Sequence, residues 1–182
     1  MLKIVGISGS LRTGSLNTSL LNTISNKFHD NSNVDFEMLS IDLPIYTGNE
    51  VKGEYPESVL DLRESIASAD GIIITCPEWN RNITAALKNA IDWLSVGGLS
   101  SPLFRKVVAI AGVGGGRLGS VRAQMALRLT LLHTQVWVVP GPEVLIAPGD
   151  NTFDENDNLN DDFANILLDE LLNELVRVAP LI

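Results

Sequence analysis

The sequence is short of cysteine, of histidine and of positive charge, and each shortage removes a class of function. A single cysteine in 182 residues, Cys76, excludes an internal disulfide framework and fits a reducing compartment. The two histidines, His29 and His133, fall near predicted helix ends, where a cation is favourable, and form no metal-ligand spacing. Thirteen basic residues against twenty-two acidic ones give a formal net charge of −9. That balance argues against nucleic acid and against an anionic membrane surface as partners. No apolar run approaches the roughly 20 residues needed to cross a bilayer, so no membrane insertion is expected. Met1-Leu2-Lys3 leads straight into an apolar run and leaves no room for a signal peptide. A cytoplasmic protein is expected. There is no zinc pattern and no Ser/His/Asp arrangement. Asp154-x-Asn156-x-Asn158 begins like a calcium loop, but Leu159 stands where the glycine is needed and Asn165 where the glutamate is needed. The segment reads as a solvated acidic loop, and no metal is expected.

What remains is a chain that is 45% apolar and 19% charged. That is globular, and residues 1–182 form most simply one domain. Strands and helices alternate to its end. Apolar runs predict strands over Ile4–Ile7, Val34–Leu39, Ile72–Cys76, Val107–Ala111 and Val136–Val139, the last resuming at Val144–Ala147 after Pro140-Gly141-Pro142. Helical spacing predicts helices from Leu16 to Phe28, over Val59–Ala67, Thr84–Ser95 and Leu118–Leu132, and over Asn160–Val178 with Asp161 and Asp162 in its first turn. This is an α/β chain with a doubly wound, five-stranded parallel sheet and helices on both faces. In the flavodoxin-like order 2-1-3-4-5, strands one and three flank the point where strand order reverses, and ligands bind there, outside the carboxyl ends of the strands.

Three unusual loops fall at those ends. Gly9-Ser10-Leu11-Arg12-Thr13-Gly14-Ser15-Leu16-Asn17 joins a strand to a helix start, a geometry that turns backbone N–H groups toward an anion. Ser10, Ser15 and Asn17 add short donors, and Arg12 adds a forked cation suited to phosphate. No Gly-Lys-Ser/Thr follows, so it is not a Walker loop. Pro77-Glu78-Trp79-Asn80 closes strand three, and the glycine-dense run Gly112 to Gly119 follows strand four. The plain alternative for the first loop is an ordinary turn with Ser15 as a helix cap and Arg12 in water. For Trp79 it is a partly exposed core aromatic, and for Glu78 a surface or helix-capping carboxylate. Gly114, Gly116 and Gly119 match G-x-G-x-x-G literally, but no acidic residue closes the next strand as a dinucleotide site requires. Arg117 either stands in solvent or meets a nucleotide phosphate. Cys76 reads as a small core residue.

These residues resemble the NAD(P)H-dependent FMN reductases. Gly9-Ser10-Leu11-Arg12-x-x-Ser15-x-Asn17 is similar to that family's GSLRxxSxN phosphate loop. Pro77-Glu78-Trp79-Asn80 followed by Leu87-Lys88-Asn89-Ala90-Ile91-Asp92-Trp93 is similar to its PEYN…LKNAIDW block. The likeness runs from about Val5 to Glu143 and is nearest to the soluble quinone- or chromate-type reductases. Trp79 departs from the usual Tyr, Thr84 from a Pro, and Ala85-Ala86 from smaller residues. The resemblance implies a flavodoxin-like domain holding FMN, with Ser10, Leu11, Arg12, Ser15, Leu16 and Asn17 around the phosphate. Pro77, Glu78, Trp79, Asn80, Val113, Gly114, Gly115 and Gly116 would line the ring. It implies an oxidoreductase in which NADPH or NADH reduces FMN, and FMN passes two electrons to a quinone, free flavin or other small acceptor. The cofactor carries that chemistry, so no catalytic side chain is expected. The competing reading is a flavodoxin-type electron carrier with protein partners; a third is a degenerate domain without flavin. Helix four is apolar nearly all round, which points to a homo-oligomer, a dimer or tetramer.

Overall fold

Strand β1 (Leu2–Ser8) is the hub of a parallel sheet, pairing with β2 (Val34–Leu39) on one side and β3 (Gly71–Thr75) on the other. The structure, a computed structural model, describes residues 1–50, 54–114, 116–148 and 151–182. β3 pairs with β4 (Val107–Val113), and every residue of both strands is buried. Burial on both faces is what a continuous β-branched run such as Gly71-Ile72-Ile73-Ile74-Thr75 specifies. The order is β2-β1-β3-β4-β5, the flavodoxin-like order expected.

The fifth position is filled by two short strands. β5 (Trp137–Val138) pairs with Val107 and Val108 at the start of β4, and β6 (Val144–Ile146) pairs with Ala111 to Val113 at its end. Pro140-Gly141-Pro142 separates them, and a proline has no N–H to give the ladder. The fifth strand is therefore broken where the sequence places the break, and its second half reaches the carboxyl end of β4.

Among the described residues, five α-helices cover the sheet. α1 (Leu16–His29) and α5 (Asp162–Val178) pack on one face, burying Leu20, Leu21, Ile24, Leu168 and Leu171. α2 (Glu57–Ser68), α3 (Ala85–Ser95) and α4 (Val121–Leu131) cover the other with Leu62, Ile66, Leu87, Ile91 and Leu127. α4 starts three residues later than its apolar pattern suggests, because Gly116–Gly119 is spent on a turn in which Gly119 has φ +56°. Asp161 lies just outside α5, not in its first turn. There its carboxylate caps the helix by accepting from the amide of Ala164 at 2.9 Å.

The acidic segment before α5 is a loop with Asp154, Glu155, Asn156 and Asn158 exposed, as its reading as a solvated loop expects, and its own hydrogen bonds give it a fixed shape. Asp154 gathers the amides of Asn156 and Asn158, each at 2.8 Å, and the Asn158 side chain. Those hydrogen bonds, from Asn158 first, hold its carboxyl below the usual range. Asp157 then docks on α1, its carboxylate taking Asn22 Nδ2 at 2.8 Å and its carbonyl the Thr23 hydroxyl, while Leu159 is buried in the core.

Candidate functional site

The carboxyl ends of β1, β3 and β4 open on a cavity of about 490 Å³, inside the range of roughly 300–1,000 Å³ typical of small-molecule sites. The first loop is pressed against the end of β3. The amide of Gly9 donates to the carbonyl of Thr75 at 2.8 Å, and a Cβ on Gly9 would stand only 2.8 Å from Pro77 Cδ. Only glycine fits there. The loop then turns as Ser10 Oγ accepts from the amide of Arg12 at 3.2 Å. Ser10, Arg12, Ser15, Leu16 and Asn17 all face the cavity, whereas Leu11 is 52% exposed and does not line it.

Three features make this end of the cavity receptive to an anion. Ser15 occupies the cap position of α1 but its side chain caps nothing, and the first turn of α1 carries no acidic residue. The leading amides of a helix have no acceptor within it. Arg12 belongs to no ion pair among the described residues.

Asn17 has a different task from the side-chain donor its position suggests. Buried at 3% exposure, it sends Nδ2 to the carbonyl of Val113 at 2.8 Å and takes the amide of Val113 on Oδ1 at 3.1 Å. Its own carbonyl accepts from Thr75 Oγ1 at 2.7 Å. Asn17 is thus a strut joining the first loop to the ends of β3 and β4.

In the second loop, Trp79 and Asn82 exchange two backbone hydrogen bonds of 2.9 Å around Asn80 (φ 50°) and Arg81 (φ 64°). Positive φ at both central residues is a type I′ turn, tolerated by Asn and less so by Arg. The turn carries Asn80 away from the cavity into an adjoining hollow. Trp79 stands at the cavity wall with 69% of its surface exposed, so it is not a core aromatic. Glu78 Oε1 accepts from Arg122 Nε at 2.7 Å and Nη2 at 2.6 Å, and Oε2 from the Arg122 amide at 3.2 Å. Its carboxylate is therefore held at the start of α4, the helix-capping alternative.

Val113 and Gly114 complete the wall. A Cβ on Gly114 would overlap the carbonyl of Gly119, so the folding of the loop on itself already requires a glycine here. Gly116 lines the adjoining hollow, and Gly115 lies outside the described residues. Ala85 lines it too, as a small residue at the mouth, and two lining residues were not anticipated as contacts: Thr84 and Pro148. Thr84 caps α3 by accepting from Leu87 N at 3.1 Å and donates to Gly9 O at 2.6 Å, tying α3 to the first loop. A threonine directly before the helical repeat signals the cap, and nothing local signals the bond to Gly9. Pro148 has no sequence signal, because its place depends on β6 pairing with the end of β4. Cys76 is buried, and burial first, with the charge of Glu78 second, pushes its thiol up to about 12. It stays protonated at neutral pH and is no nucleophile.

The sequence profile of the NADPH-dependent FMN reductases matches residues 2–150. The chain belongs to that family. An NAD(P)H-dependent FMN reductase of Pseudomonas aeruginosa is 36% identical over 174 residues, covering 96% of this chain and 93% of its own. A quinone reductase of Escherichia coli is 35% identical over 145 residues, covering 79% of this chain and 77% of its own. Among solved structures, FerB, a flavoenzyme NAD(P)H:(acceptor) oxidoreductase from Paracoccus denitrificans, superposes with a TM-score of 0.86. It has 27% identity and covers 97% of this chain and 98% of that one. The cofactor of an FMN reductase has a doubly charged phosphate and a flat, largely apolar ring system. The cavity suits both ends, with a helix start lacking a side-chain cap and an arginine without an ion pair among the described residues for the one, and Pro77, Trp79, Ala85 and Val113 for the other.

Proposed function

We propose that this FMN reductase takes two electrons from NADPH or NADH and passes them, through FMN held in the cavity, to a quinone or a similar small acceptor. The observation that carries the reading is the meeting, in one cavity, of an anion-ready loop and an apolar wall at the carboxyl ends of β1, β3 and β4. Quinone is favoured as the acceptor class because the related reductases of Escherichia coli and Burkholderia are named for quinone substrates. When bound, FMN supplies the two-electron chemistry, and the protein orients it and shapes access. Arg12, Ser10, Ser15 and the amides of Leu16 and Asn17 hold the phosphate, with Leu11 outside as the loop's exposed shoulder. Pro77, Glu78, Trp79, Val113 and Gly114 flank the ring, and Asn80 and Gly116 belong to the rim beyond it. Glu78 is engaged by Arg122 and serves as a wall, not as an acid. The reading covers residues 1–182 as one domain, since α5, beyond the family match, shares its core with α1 and β4. Among the described residues no helix is long and apolar enough to cross a membrane, and a cytoplasmic site of action fits the lone thiol.

Anaerobic stopped-flow mixing tests the activity. NADPH or NADH should bleach the bound flavin rapidly, and a quinone should then restore it, with ping-pong kinetics. Flavin that stays oxidised for minutes with either nucleotide, yet bleaches with a chemical reductant, would mark an electron carrier instead.

The phosphate assignment has its own test. Loss of a charged hydrogen-bonding partner costs on the order of 1.5–3 kcal/mol. Arg12→Ala should therefore weaken FMN by about tenfold or more and leave riboflavin, which has no phosphate, nearly unchanged. Equal weakening of both ligands in a fluorescence titration would remove Arg12 from the phosphate site.

A homo-oligomer, dimer or tetramer, belongs to the same reading. Along α4 and its flanks Leu118, Met125, Leu129 and Leu132 are each 58–69% exposed, an apolar stripe facing away from the sheet. Leu129→Glu should split the assembly without lowering helix content, as read by light scattering and circular dichroism. A wild-type protein that scatters as a monomer at every concentration tested would refute it.

A further inference from the structure

Beyond Glu78 the cavity adjoins a second, polar hollow of about 390 Å³. Asn80, Gly116, Gly119, Arg117 and Arg122 line it, with Leu118 as its apolar side chain. Two guanidinium groups in one hollow are notable in a chain of net charge −9, because the protein as a whole repels anions.

The two arginines are held differently. Arg122 gives Nε and Nη2 to Glu78, so it is oriented and half neutralised. Arg117 is exposed and enters no ion pair among the described residues. Nor is it on a loose loop. It is the second residue of a turn closed by the amide of Gly119 on the carbonyl of Gly116 at 3.0 Å. Gly119 is seated against β6 so closely that a Cβ there would come 2.9 Å from the backbone of Leu145. A rigid turn that presents one uncompensated cation beside a second, oriented one is suited to a phosphate.

Resting on the functional reading above, we propose that this hollow receives a phosphate group of the reducing nucleotide, with Arg117 as its direct contact and Arg122 as the supporting cation. With FMN in the larger cavity, the charged end of NAD(P)H lies outside it. The hollow shares Glu78 with that cavity and supplies the cations the nucleotide needs. Arg117 then decides how strongly the enzyme prefers one nucleotide, if the group bound is the 2′-phosphate that NADPH alone carries.

The test uses FMN-loaded wild type, Arg117→Ala and Arg117→Lys. Each is titrated calorimetrically with the non-reducing probes 2′,5′-ADP and 5′-ADP, and KM is measured for NADPH and NADH. Arg117→Ala should raise KM for NADPH and weaken 2′,5′-ADP by about tenfold, with Arg117→Lys in between. An effect confined to NADPH and 2′,5′-ADP assigns the 2′-phosphate; an equal effect on both nucleotides and both probes assigns the diphosphate bridge. Both results support the site. Unchanged affinities and KM values in Arg117→Ala, with the wild-type flavin still bleached by nucleotide, overturn this proposal alone. A wild type that neither nucleotide bleaches removes the functional reading and the proposal together.

Discussion

Asn17→Ala should lower the stability of the flavin-free protein by roughly 2–5 kcal/mol, because two buried backbone groups lose their partners at once. The amide and the carbonyl of Val113 both end on the Asn17 side chain, at 3.1 and 2.8 Å. Val113 is 3% exposed, so water has little access to replace them. For a chain of this size that loss corresponds to a fall of about 5–15 °C in the melting temperature. The carboxylate of Asn17→Asp accepts but cannot donate, so it faces the Val113 carbonyl with a second oxygen and adds a buried charge. Asn17→Asp should therefore be no better than alanine. A phosphate ligand from the side chain alone would behave otherwise, since its removal would weaken FMN and leave the flavin-free protein as stable as before. Thermal unfolding of the two variants without flavin decides between strut and ligand. A shift below about 2 °C for Asn17→Ala would refute the strut.

The same residue shows what one sequence discloses. The spacing of Ser10, Arg12, Ser15 and Asn17 marks a loop that faces a ligand, and each of them does line the cavity. Spacing cannot say which side chains point outward and which are consumed by the frame, because Val113 is 96 residues away. The parallel sheet was legible because the buried strands are continuous apolar runs and the connections alternate strictly, whereas its 2-1-3-4-5 order entered with the flavodoxin-like reading, since alternation alone fits other doubly wound orders. The broken fifth strand was half legible. Pro140-Gly141-Pro142 announces the break, but only the pairing of Val144 with Ala111 shows that the chain rejoins the sheet at the site. Trp79 was ambiguous because an aromatic beside a turn reads alike from either side. The positive φ of Asn80 and Arg81, which an ordinary non-glycine pair does not advertise, turns it outward. In the glycine run the residue type was clear and its reason was not. Gly114 is glycine because a Cβ would overlap Gly119, and Gly119 because its φ is +56° and a Cβ would press on the backbone of Leu145.

The Leu87–Trp93 block, which carries much of the family resemblance, should prove structural. Trp93 is 1% exposed and gives Nε1 to the carbonyl of Pro44 at 2.7 Å. The rings of Tyr46 and Tyr55 meet it edge-on at 5.0 and 5.6 Å. Arg63 bonds its carbonyl at 2.6 Å while lying over the Tyr55 ring. One turn earlier, Asn89 takes the amide of Tyr46 at 2.8 Å and donates to Pro44 at 3.0 Å. Together they clamp the segment after β2 to α3, on the far side of that helix from Thr84's contact with the first loop. Trp93→Ala should cost about 3–5 kcal/mol, the usual range for emptying a buried large aromatic site. Trp93→Phe keeps most of the apolar area, loses the hydrogen bond to Pro44 and should cost about 1 kcal/mol. Neither residue 93 nor Asn89 lines the cavity, so FMN affinity measured below the unfolding transition should stay within about twofold of wild type. Urea unfolding paired with flavin titration separates the two roles. A Trp93→Ala protein as stable as wild type but unable to hold FMN would return this block to the binding site.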